Sequence, residues 1–293
     1  MVQRSARPRR LLKGLTSRHF GPDTRFGVRL VATVVVTTVV AVPFALALVL
    51  VESGWAPLYR LDQETAARLH HSALGRPGWV RALDFLTNVV WGPLTMRLLV
   101  AVLVVWLMLR GARRLAVWAA VTAIASGLLG LLTKNVVERA RPHLPDPVAD
   151  APGFSFPSGH AMTAMTSCAV LLLALLPLVP RRWRPLPWLA AVLTVLGVGY
   201  TRVALGVHWV SDVLGGWLLG LVVVTATTLA FEAWRSDVGR ARTTPAEGLE
   251  PEIVGADPEP PVAADLAHAV QTVGGLEPDP VLIHDRHARH RHL

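Results

Sequence analysis

Three polar segments interrupt a sequence that is otherwise strongly apolar, and each contains residues able to bind or attack an anion. The segments are KNVVERARP at residues 134–142, PSGH at residues 157–160 and TRVALGVHWVSD at residues 201–212. Each lies at one end of a long apolar run. Ionisable groups at such positions are costly where they enter a bilayer, and they mark functional sites more often than not.

The basic and small residues of these segments are suited to holding a phosphate. Lys134, Arg141 and Arg202 carry positive charge, and a guanidinium group can bind two phosphate oxygens at once. Ser158 and Gly159 precede an apolar run, where a helix N-terminus would offer free N–H groups to an anion. The same fixed donors would stabilise the charge of a phosphoryl-transfer transition state.

Two histidines complete the chemistry that these segments could perform. His208 and Asp212 are four residues apart, so on a helix they would share a face and the carboxylate would orient the ring. This pairing favours His208 as the nucleophile. His160 has no carboxylate four residues away on either side, which leaves it as the candidate proton donor to the leaving oxygen.

Each segment also has a purely structural explanation when it is considered alone. Lys134 and Arg141 could be anchors at the membrane surface, and Ser158 could simply cap a helix. The pair of His208 and Asp212 could be a structural hydrogen bond. We favour a shared site because the three segments fall on the same side of the predicted membrane topology.

The composition is that of a membrane protein. Hydrophobic residues make up 52% of the 293-residue chain and charged residues 17%, whereas a soluble domain is about 25% charged. Six apolar segments are long enough, or nearly so, to cross a bilayer: residues 30–51, 89–109, 115–133, 161–176, 188–200 and 213–230. The alternative is a large soluble protein whose shorter apolar runs are buried helices.

Two of these spans need comment. The second contains Arg97, which we expect either to face a partner or to extend its charged end towards the membrane surface. The fifth is short, and we expect it to extend at both ends, with Pro185 and Pro187 in its first turn. We expect three tryptophans to be interfacial anchors. Trp55 and Trp79 lie in the predicted loop at residues 52–88, and Trp91 lies at the start of the second span.

Basic residues predict the orientation of the spans. Arginines follow the second and fourth spans, at Arg110, Arg113, Arg114, Arg181, Arg182 and Arg184. The first 29 residues hold eight basic residues, namely Arg4, Arg7, Arg9, Arg10, Lys13, Arg18, Arg25 and Arg29. Short basic flanks stay in the cytoplasm. The loops at residues 52–88, 134–159 and 201–212 are therefore predicted to face outward.

The predicted fold is an all-α bundle of six transmembrane helices, with the site at the outer membrane–water boundary. It comprises a basic cytoplasmic arm at residues 1–29, a membrane domain at residues 30–234 and a disordered cytoplasmic tail at residues 235–293. The first span could instead be a cleavable signal peptide, but its length favours a retained anchor.

The composition of the two ends allows further functions. The tail histidines could bind metal, although a solvated low-complexity end is preferred; they are His268, His284, His287, His290 and His292. The basic arm has no series of aromatic residues interleaved with its basic ones for base stacking, so we expect contact with anionic lipid rather than nucleic acid. Cys168 is the single cysteine, which excludes an internal disulfide and a Cys-based zinc site.

The spacing of the three segments resembles the motifs of the type-2 phosphatidic acid phosphatase superfamily, which includes haloperoxidases. That family has Lys, six residues and Arg-Pro; then Pro-Ser-Gly-His; then Ser-Arg, five residues, His, three residues and Asp. The matching residues here are Lys134, Arg141, Pro142, Pro157, Ser158, Gly159, His160, Thr201, Arg202, His208 and Asp212. Thr201 stands where the family has Ser. The resemblance covers about residues 30–234.

This resemblance implies roles for the residues that match. His208 would form a phosphohistidine, His160 would be the general acid and Asp212 would orient the nucleophile. The phosphate would be held by Lys134, Arg141, Ser158, Gly159 and Arg202. No metal or other cofactor would be required.

The implied substrate is a lipid phosphate or diphosphate, handled on the extracytoplasmic face. Candidates are undecaprenyl diphosphate, phosphatidylglycerol phosphate and phosphatidic acid. The sequence leaves a phosphotransferase open, because any hydroxyl could resolve the phosphohistidine. A vanadate haloperoxidase and a non-enzymatic lipid transporter are the less favoured alternatives.

Overall fold

A computed structural model of the chain describes residues 22–237 together with Thr243, Gly248 and Leu249. Within these residues every regular element is helical, which confirms the predicted all-α class. The first 21 residues of the predicted arm lie outside the described residues. So does most of the predicted tail, including its five histidines.

Eight α-helices make up the described fold. They are α1 (Pro22–Glu52), α2 (Ala56–Ala73), α3 (Pro77–Phe85), α4 (Pro93–Leu109), α5 (Arg113–Val137), α6 (Gly159–Leu175), α7 (Pro185–Ala204) and α8 (Val210–Asp237). A π-helical turn at Leu86–Val90 joins α3 to α4. Two short 3₁₀ turns, Leu176–Leu178 and Arg181–Trp183, connect α6 to α7.

Six helical segments of this part of the chain are long and apolar enough to cross a membrane. They are Thr33–Glu52, Pro77–Leu109, Arg113–Val137, Gly159–Leu178, Arg181–Ala204 and Val210–Arg235. Large apolar side chains are exposed along them, among them Leu128 and Val39, which are 62% and 63% exposed. A soluble protein rarely exposes such surfaces, so the soluble alternative is wrong and the six predicted spans are confirmed.

The second span begins earlier than predicted, at Pro77 rather than at residue 89. The chain stays helical through the π turn and breaks only at Gly92, before Pro93 opens α4. A Cβ on Gly92 would lie 2.1 Å from the carbonyl oxygen of Asn88, so this close approach requires glycine. Arg97 lies on the exposed face of α4, which favours extension to the membrane surface over a partner inside the bundle.

Two of the predicted outer loops are shorter in the structure. Helix α5 continues past residue 133 and ends where Glu138 adopts a left-handed conformation, with a φ of 49°. Lys134 therefore lies in the last turn of α5. Helix α7 extends to Ala204, as expected for the short fifth span. As a result, Arg202 is helical and only residues 205–209 separate α7 from α8.

The prediction of a loop at residues 52–88 is wrong, because these residues are mostly helical. Helix α2 buries one face, formed by Asp62, Ala66, His70 and Ala73. Their spacing of three or four residues is that of a helix packed along one stripe. Helix α2 contacts α7 and α8. Trp55 and Trp79 are about half exposed, at 49% and 43%, while Trp91 packs against Gly197 of α7.

Helix α6 is the centre of the bundle and contacts α4, α5, α7 and α8, whereas α1 packs mainly on α8. An apolar cluster fills the end of the bundle where α6 finishes; it comprises Val100, Leu103, Leu107, Leu115, Ala116, Trp118, Ala119, Val170, Leu173, Ala174, Val224, Phe231 and Leu249. Leu249 donates its N–H to the carbonyl of Leu173, at 2.8 Å. Leu249, which lies beyond the predicted tail boundary at residue 235, thus contacts α6.

Candidate active site

The predicted site residues meet at one end of the bundle. Because successive spans run in opposite directions, the ends of α5 and α7 and the starts of α6 and α8 lie at the same end. His160, at the start of α6, interacts electrostatically with charged groups from the other three helices and their loops: Arg202, His208, Arg141 and Lys134. Two histidines and three basic residues therefore share one site.

His208 lies two residues before α8, and its side chain is 2% exposed. Its Nδ1 is 3.3 Å from Oδ2 of Asp212, and its Nε2 is 3.2 Å from Nη1 of Arg141. A guanidinium group can only donate and a carboxylate only accepts. The contacts therefore select the tautomer with a proton on Nδ1 and an unprotonated Nε2 that accepts from Arg141. The predicted pairing with Asp212 is present, although His208 precedes the helix instead of lying on it.

The environment of His208 keeps its ring neutral. Burial lowers the pKa of His208 to about 4, and the positive charges of Arg202 and Arg141 act in the same direction. The hydrogen bond and charge of Asp212 oppose this shift without reversing it. At neutral pH the imidazole is therefore unprotonated at Nε2, which is the state that a nucleophile needs. Burial also lowers the pKa of Arg141.

Asp212 is completely buried and accepts hydrogen bonds on both carboxylate oxygens. Oδ2 receives the N–H of Trp209 at 2.8 Å, and Oδ1 receives Nη1 of Arg139 at 2.6 Å. The carbonyl of Asp212 accepts the N–H of Ser158 at 2.9 Å. Asp212 therefore caps its own helix, pairs with His208 and connects the starts of α6 and α8.

Backbone carbonyls hold two of the site's basic side chains in place. Lys134 donates its Nζ to the carbonyl of Phe154, at 2.8 Å. Arg141 donates to the carbonyls of Pro152, Gly153, Phe154 and Val207, at 2.7 to 3.2 Å. All of these acceptors belong to the segments directly before α6 and α8. The two cations are thus fixed beside the helix starts before any ligand binds.

Three polar atoms of the predicted site are buried without a hydrogen-bond partner among the described residues: Ser158 Oγ, His160 Nε2 and Arg202 Nε. Ser158 occupies the N-cap position of α6, but its side chain makes no capping hydrogen bond. The explanation of Ser158 as only a cap is therefore not supported. Buried polar groups are normally paired, so a set of unpaired ones within one site is suited to binding a polar ligand.

Gly159 and Thr201 complete the predicted motifs. A Cβ on Gly159 would meet no atom within 4 Å, so open space lies in front of the first residue of α6. The hydroxyl of Thr201 donates to the carbonyl of Val198 in its own helix, at 2.7 Å. The hydroxyl of Thr201 is therefore used inside α7. We assign the function of the Thr201–Arg202 pair to Arg202, which is 5% exposed.

Two residues of this region were missed by the sequence analysis. Arg139 lies between Lys134 and Arg141 and forms ion pairs with Asp62 and Asp212. Asp62 is on α2, in a segment predicted to be a loop, and is fully buried. The available signal was a carboxylate at helical spacing from Ala66 and His70. This spacing indicates a buried helix face only when α2 is known to be a helix.

Among residues 22–237 no group of three or more His, Cys, Asp or Glu side chains is arranged to hold a metal ion. The expectation that no metal or cofactor takes part remains a prediction. The tail histidines lie outside the described residues.

Comparison with known proteins identifies relatives of this chain. It is 42% identical over 99 residues to phosphatidylglycerophosphatase B of Bacillus subtilis, covering 33% of this chain and 48% of the relative. It is 30% identical over 138 residues to undecaprenyl-diphosphatase of Sulfolobus acidocaldarius, covering 45% and 58%. It is 35% identical over 119 residues to lipid A 1-phosphatase of Rhizobium johnstonii, covering 38% and 45%. The chain spans about half the length of these relatives.

The fold is also that of a solved membrane protein. The crystal structure of a transmembrane PAP2 type phosphatidylglycerolphosphate phosphatase from Bacillus subtilis matches with a TM-score of 0.59 at 22% identity. The match covers 69% of this chain and 98% of that structure. Together with the six spans, it shows a multi-pass membrane protein. Residues 115–236, which carry all three polar segments, match the PAP2 superfamily, and the chain therefore contains a PAP2 superfamily domain.

Proposed function

We propose that this chain is a membrane phosphatase that hydrolyses a lipid phosphate or diphosphate through a phosphohistidine on His208. The observation that carries the proposal is the unprotonated Nε2 of a neutral His208, whose Nδ1 faces Asp212 and whose Nε2 faces Arg141. It lies in the same site as Lys134, Arg141 and Arg202. The three relatives named above are phosphatases of lipid substrates by name, which supports the same class of reaction here.

The first step transfers the phosphoryl group to the enzyme. Nε2 of His208 attacks phosphorus, and the bond from phosphorus to the lipid oxygen breaks. His160 donates a proton to that oxygen, so the lipid leaves as an alcohol, or as a monophosphate when the substrate is a diphosphate. The ring of His208 gains positive charge in this step, and the carboxylate of Asp212 beside Nδ1 stabilises it.

The second step releases phosphate. His160, now deprotonated, takes a proton from a water molecule that attacks the phosphohistidine. The phosphorus–nitrogen bond breaks, the electron pair returns to Nε2 of His208, and inorganic phosphate leaves. Each histidine ends in its starting protonation state, so the cycle balances.

Charge neutralisation in both steps comes from the protein. The equatorial oxygens of the transferring group would contact Lys134, Arg141 and Arg202, together with the hydroxyl of Ser158. Preorganised donors of this kind contribute about 10²–10³-fold each to the rate. Because three cations are already in place, we propose that the reaction needs no metal ion.

We propose that the site faces the extracytoplasmic side. The helix directions place the arginines that follow α4 and α6 at the opposite end from the site: Arg110, Arg113, Arg114, Arg181, Arg182 and Arg184. Such basic turns are cytoplasmic in most membrane proteins. The substrate would keep its tail in the bilayer while its phosphate meets the site at the boundary with water.

The experiment is phosphate release by the purified protein in detergent, with undecaprenyl diphosphate, phosphatidylglycerol phosphate and phosphatidic acid compared side by side. His208→Ala should lower turnover by about a thousandfold or more, since nucleophile removal in hydrolases costs up to about 10⁶-fold. His71→Ala, an exposed histidine of α2, is the matched control and should be fully active.

A trapping experiment tests the intermediate directly. Protein quenched during turnover of a phosphate-labelled lipid should carry an acid-labile, alkali-stable label that His208→Ala lacks and His71→Ala retains. Full activity of His208→Ala overturns the mechanism. Label that passes to a second lipid instead of water indicates a transferase. A wild type that moves labelled lipid across vesicles without releasing phosphate indicates a transporter.

A further inference from the structure

Helix α2 brings a buried carboxylate to the site from outside the three motifs. Asp62 is fully buried. Its Oδ1 accepts the backbone N–H of Ser211 at 2.9 Å, and its Oδ2 accepts the hydroxyl of Ser211 and Nη2 of Arg139, the latter at 2.8 Å. Ser211 is the neighbour of Asp212 in the first turn of α8. Asp62 therefore fixes the helix turn that carries the partner of the nucleophile.

Arg139 connects this carboxylate to Asp212. Its Nη2 donates to Asp62, its Nη1 donates to Oδ1 of Asp212 at 2.6 Å and to the hydroxyl of Ser211 at 2.7 Å. Its side chain is 15% exposed, and the guanidinium lies 5.8 Å from the ring centre of Trp209. A buried carboxylate needs a compensating charge. Arg139 supplies one charge to two carboxylates, and its Nη1 and Nη2 donors are used by these contacts.

The geometry separates the two oxygens of Asp212. Arg139 occupies Oδ1, while Oδ2 faces Nδ1 of His208 and the N–H of Trp209. With Oδ1 held from one side, the carboxylate plane cannot rotate away from the histidine. The position of the His208 ring thus depends on Arg139, and the position of Arg139 depends on Asp62.

We propose that Asp62 is a positioning residue of the reaction, which acts through Arg139 and Ser211 to fix Asp212 and thereby the ring of His208. This inference rests on the proposed phosphatase function. It assigns α2, which lies outside the matched superfamily region at residues 115–236, a part in the chemistry. Since Asp62 does not touch the phosphate, its loss should lower kcat and leave KM nearly unchanged.

The test is a double-mutant cycle on phosphate release by the purified full chain. Asp62→Asn and Arg139→Gln should each lower kcat by about 10–100-fold, the usual cost of losing a group that orients an active-site ligand. KM should change less than about twofold. The double variant should be no slower than the slower single variant, because both changes interrupt the same connection. Arg139→Lys, which keeps the charge but not the two-sided geometry, should fall between wild type and Arg139→Gln.

Glu64→Gln is the matched control, because Glu64 lies on the same helix but is exposed and pairs only with Arg68; its kcat should equal that of wild type. A wild-type kcat for Asp62→Asn, or multiplied effects in the double variant, would overturn the proposal. If Asp62→Asn does not fold, Ser211→Ala replaces it, and an unchanged kcat there overturns the proposal equally. Absence of phosphate release by the wild type would contradict the phosphatase function itself, which is a separate outcome.

Discussion

The two ends of the helix bundle bury their side chains in opposite ways. At the site end, charged and polar groups are buried: Asp62, Ser158, Arg202, His208 and Asp212 are each at most 5% exposed. At the other end, the interior is an apolar cluster around Trp118 and Phe231, where the buried Arg235 pairs with Glu232. The arginines exposed at this end are Arg110, Arg113, Arg181 and Arg182. Unpaired buried polar groups each cost about 1–3 kcal/mol, whereas apolar burial is favourable. The largest apolar cluster therefore stabilises one end, and the candidate site, with smaller apolar clusters beside it, is located at the other.

Among the variants that test this difference between the two ends, Phe231→Ala at the apolar end should have the largest effect on stability. The Phe231 ring lies 6.0 Å from that of Trp118 and 6.2 Å from that of Trp234. Removing a buried phenylalanine costs about 3–5 kcal/mol of unfolding free energy. The unfolding temperature in detergent should fall, while kcat of the folded protein should stay at the wild-type value. Phe85→Ala, at an exposed position of α3, is the control, and an equal loss there would contradict the assignment of stability to this end.

Arg202→Gln should have the opposite profile. Loss of one preorganised cation should lower kcat/KM by about 10²–10³-fold. The unfolding temperature should stay the same or rise, because a buried cation with an unpaired Nε costs free energy in the folded state. Phosphate release and thermal unfolding are measured on the same samples. Arg97→Gln, an exposed arginine of α4, should change neither quantity; a destabilised Arg202→Gln would mean that Arg202 is a structural residue.

The pH dependence should reveal the burial of His208. An unperturbed histidine titrates near pH 6.5, but burial lowers the pKa of His208 to about 4. The nucleophile therefore remains unprotonated, and the acidic limb of kcat/KM should lie near pH 4. Between pH 6.5 and about 4 the unfolded chain binds a proton that the folded chain does not, so stability should also fall as the pH falls through this window. An acidic limb near 6.5 would indicate a solvated nucleophile.

The smallest expected effect concerns Gly248, which with Leu249 contacts the end of α6 and the turn after it. Gly248 has a φ of 82°, and a Cβ there would lie 2.5 Å from Cδ of Pro177. Gly248→Ala should therefore lower the free energy of unfolding by about 1–2 kcal/mol without changing kcat. Gly127→Ala on α5, where a Cβ meets nothing within 4 Å, should be neutral or slightly stabilising. Equal unfolding temperatures for the two variants would show that Gly248 does not pack against the bundle.

Most of the site could be predicted from the sequence because its motifs lie at the ends of apolar runs. Length and hydropathy placed Lys134, His160 and His208 on one side of the membrane, and alternation of the spans brought them together. The four-residue spacing of His208 and Asp212 predicted their contact, although the two residues do not share a helix. The contact forms instead because Asp212 accepts the N–H of Trp209 at the start of α8, which turns His208 back towards the carboxylate.

What could not be predicted depends on contacts between distant parts of the chain. Arg139 and Arg141 are two residues apart and chemically identical, yet one faces two carboxylates and the other faces His208. Only the position of Asp62 on α2 distinguishes them. The end of α5 was also missed, because the left-handed conformation of Glu138 has no glycine to signal it.

The contact between Asp62 and Ser211 joins residues that are 149 positions apart in the chain. During synthesis α2 emerges with the first part of the protein, and its carboxylate can pair with Arg139 but not with Ser211 until the last span has been inserted beside it. Assembly of the site is therefore the final event of insertion rather than a property of any single motif. A chain interrupted before residue 208 would contain Lys134, Arg141 and His160 and would still lack the nucleophile, its partner Asp212 and the contact of α2 with Ser211.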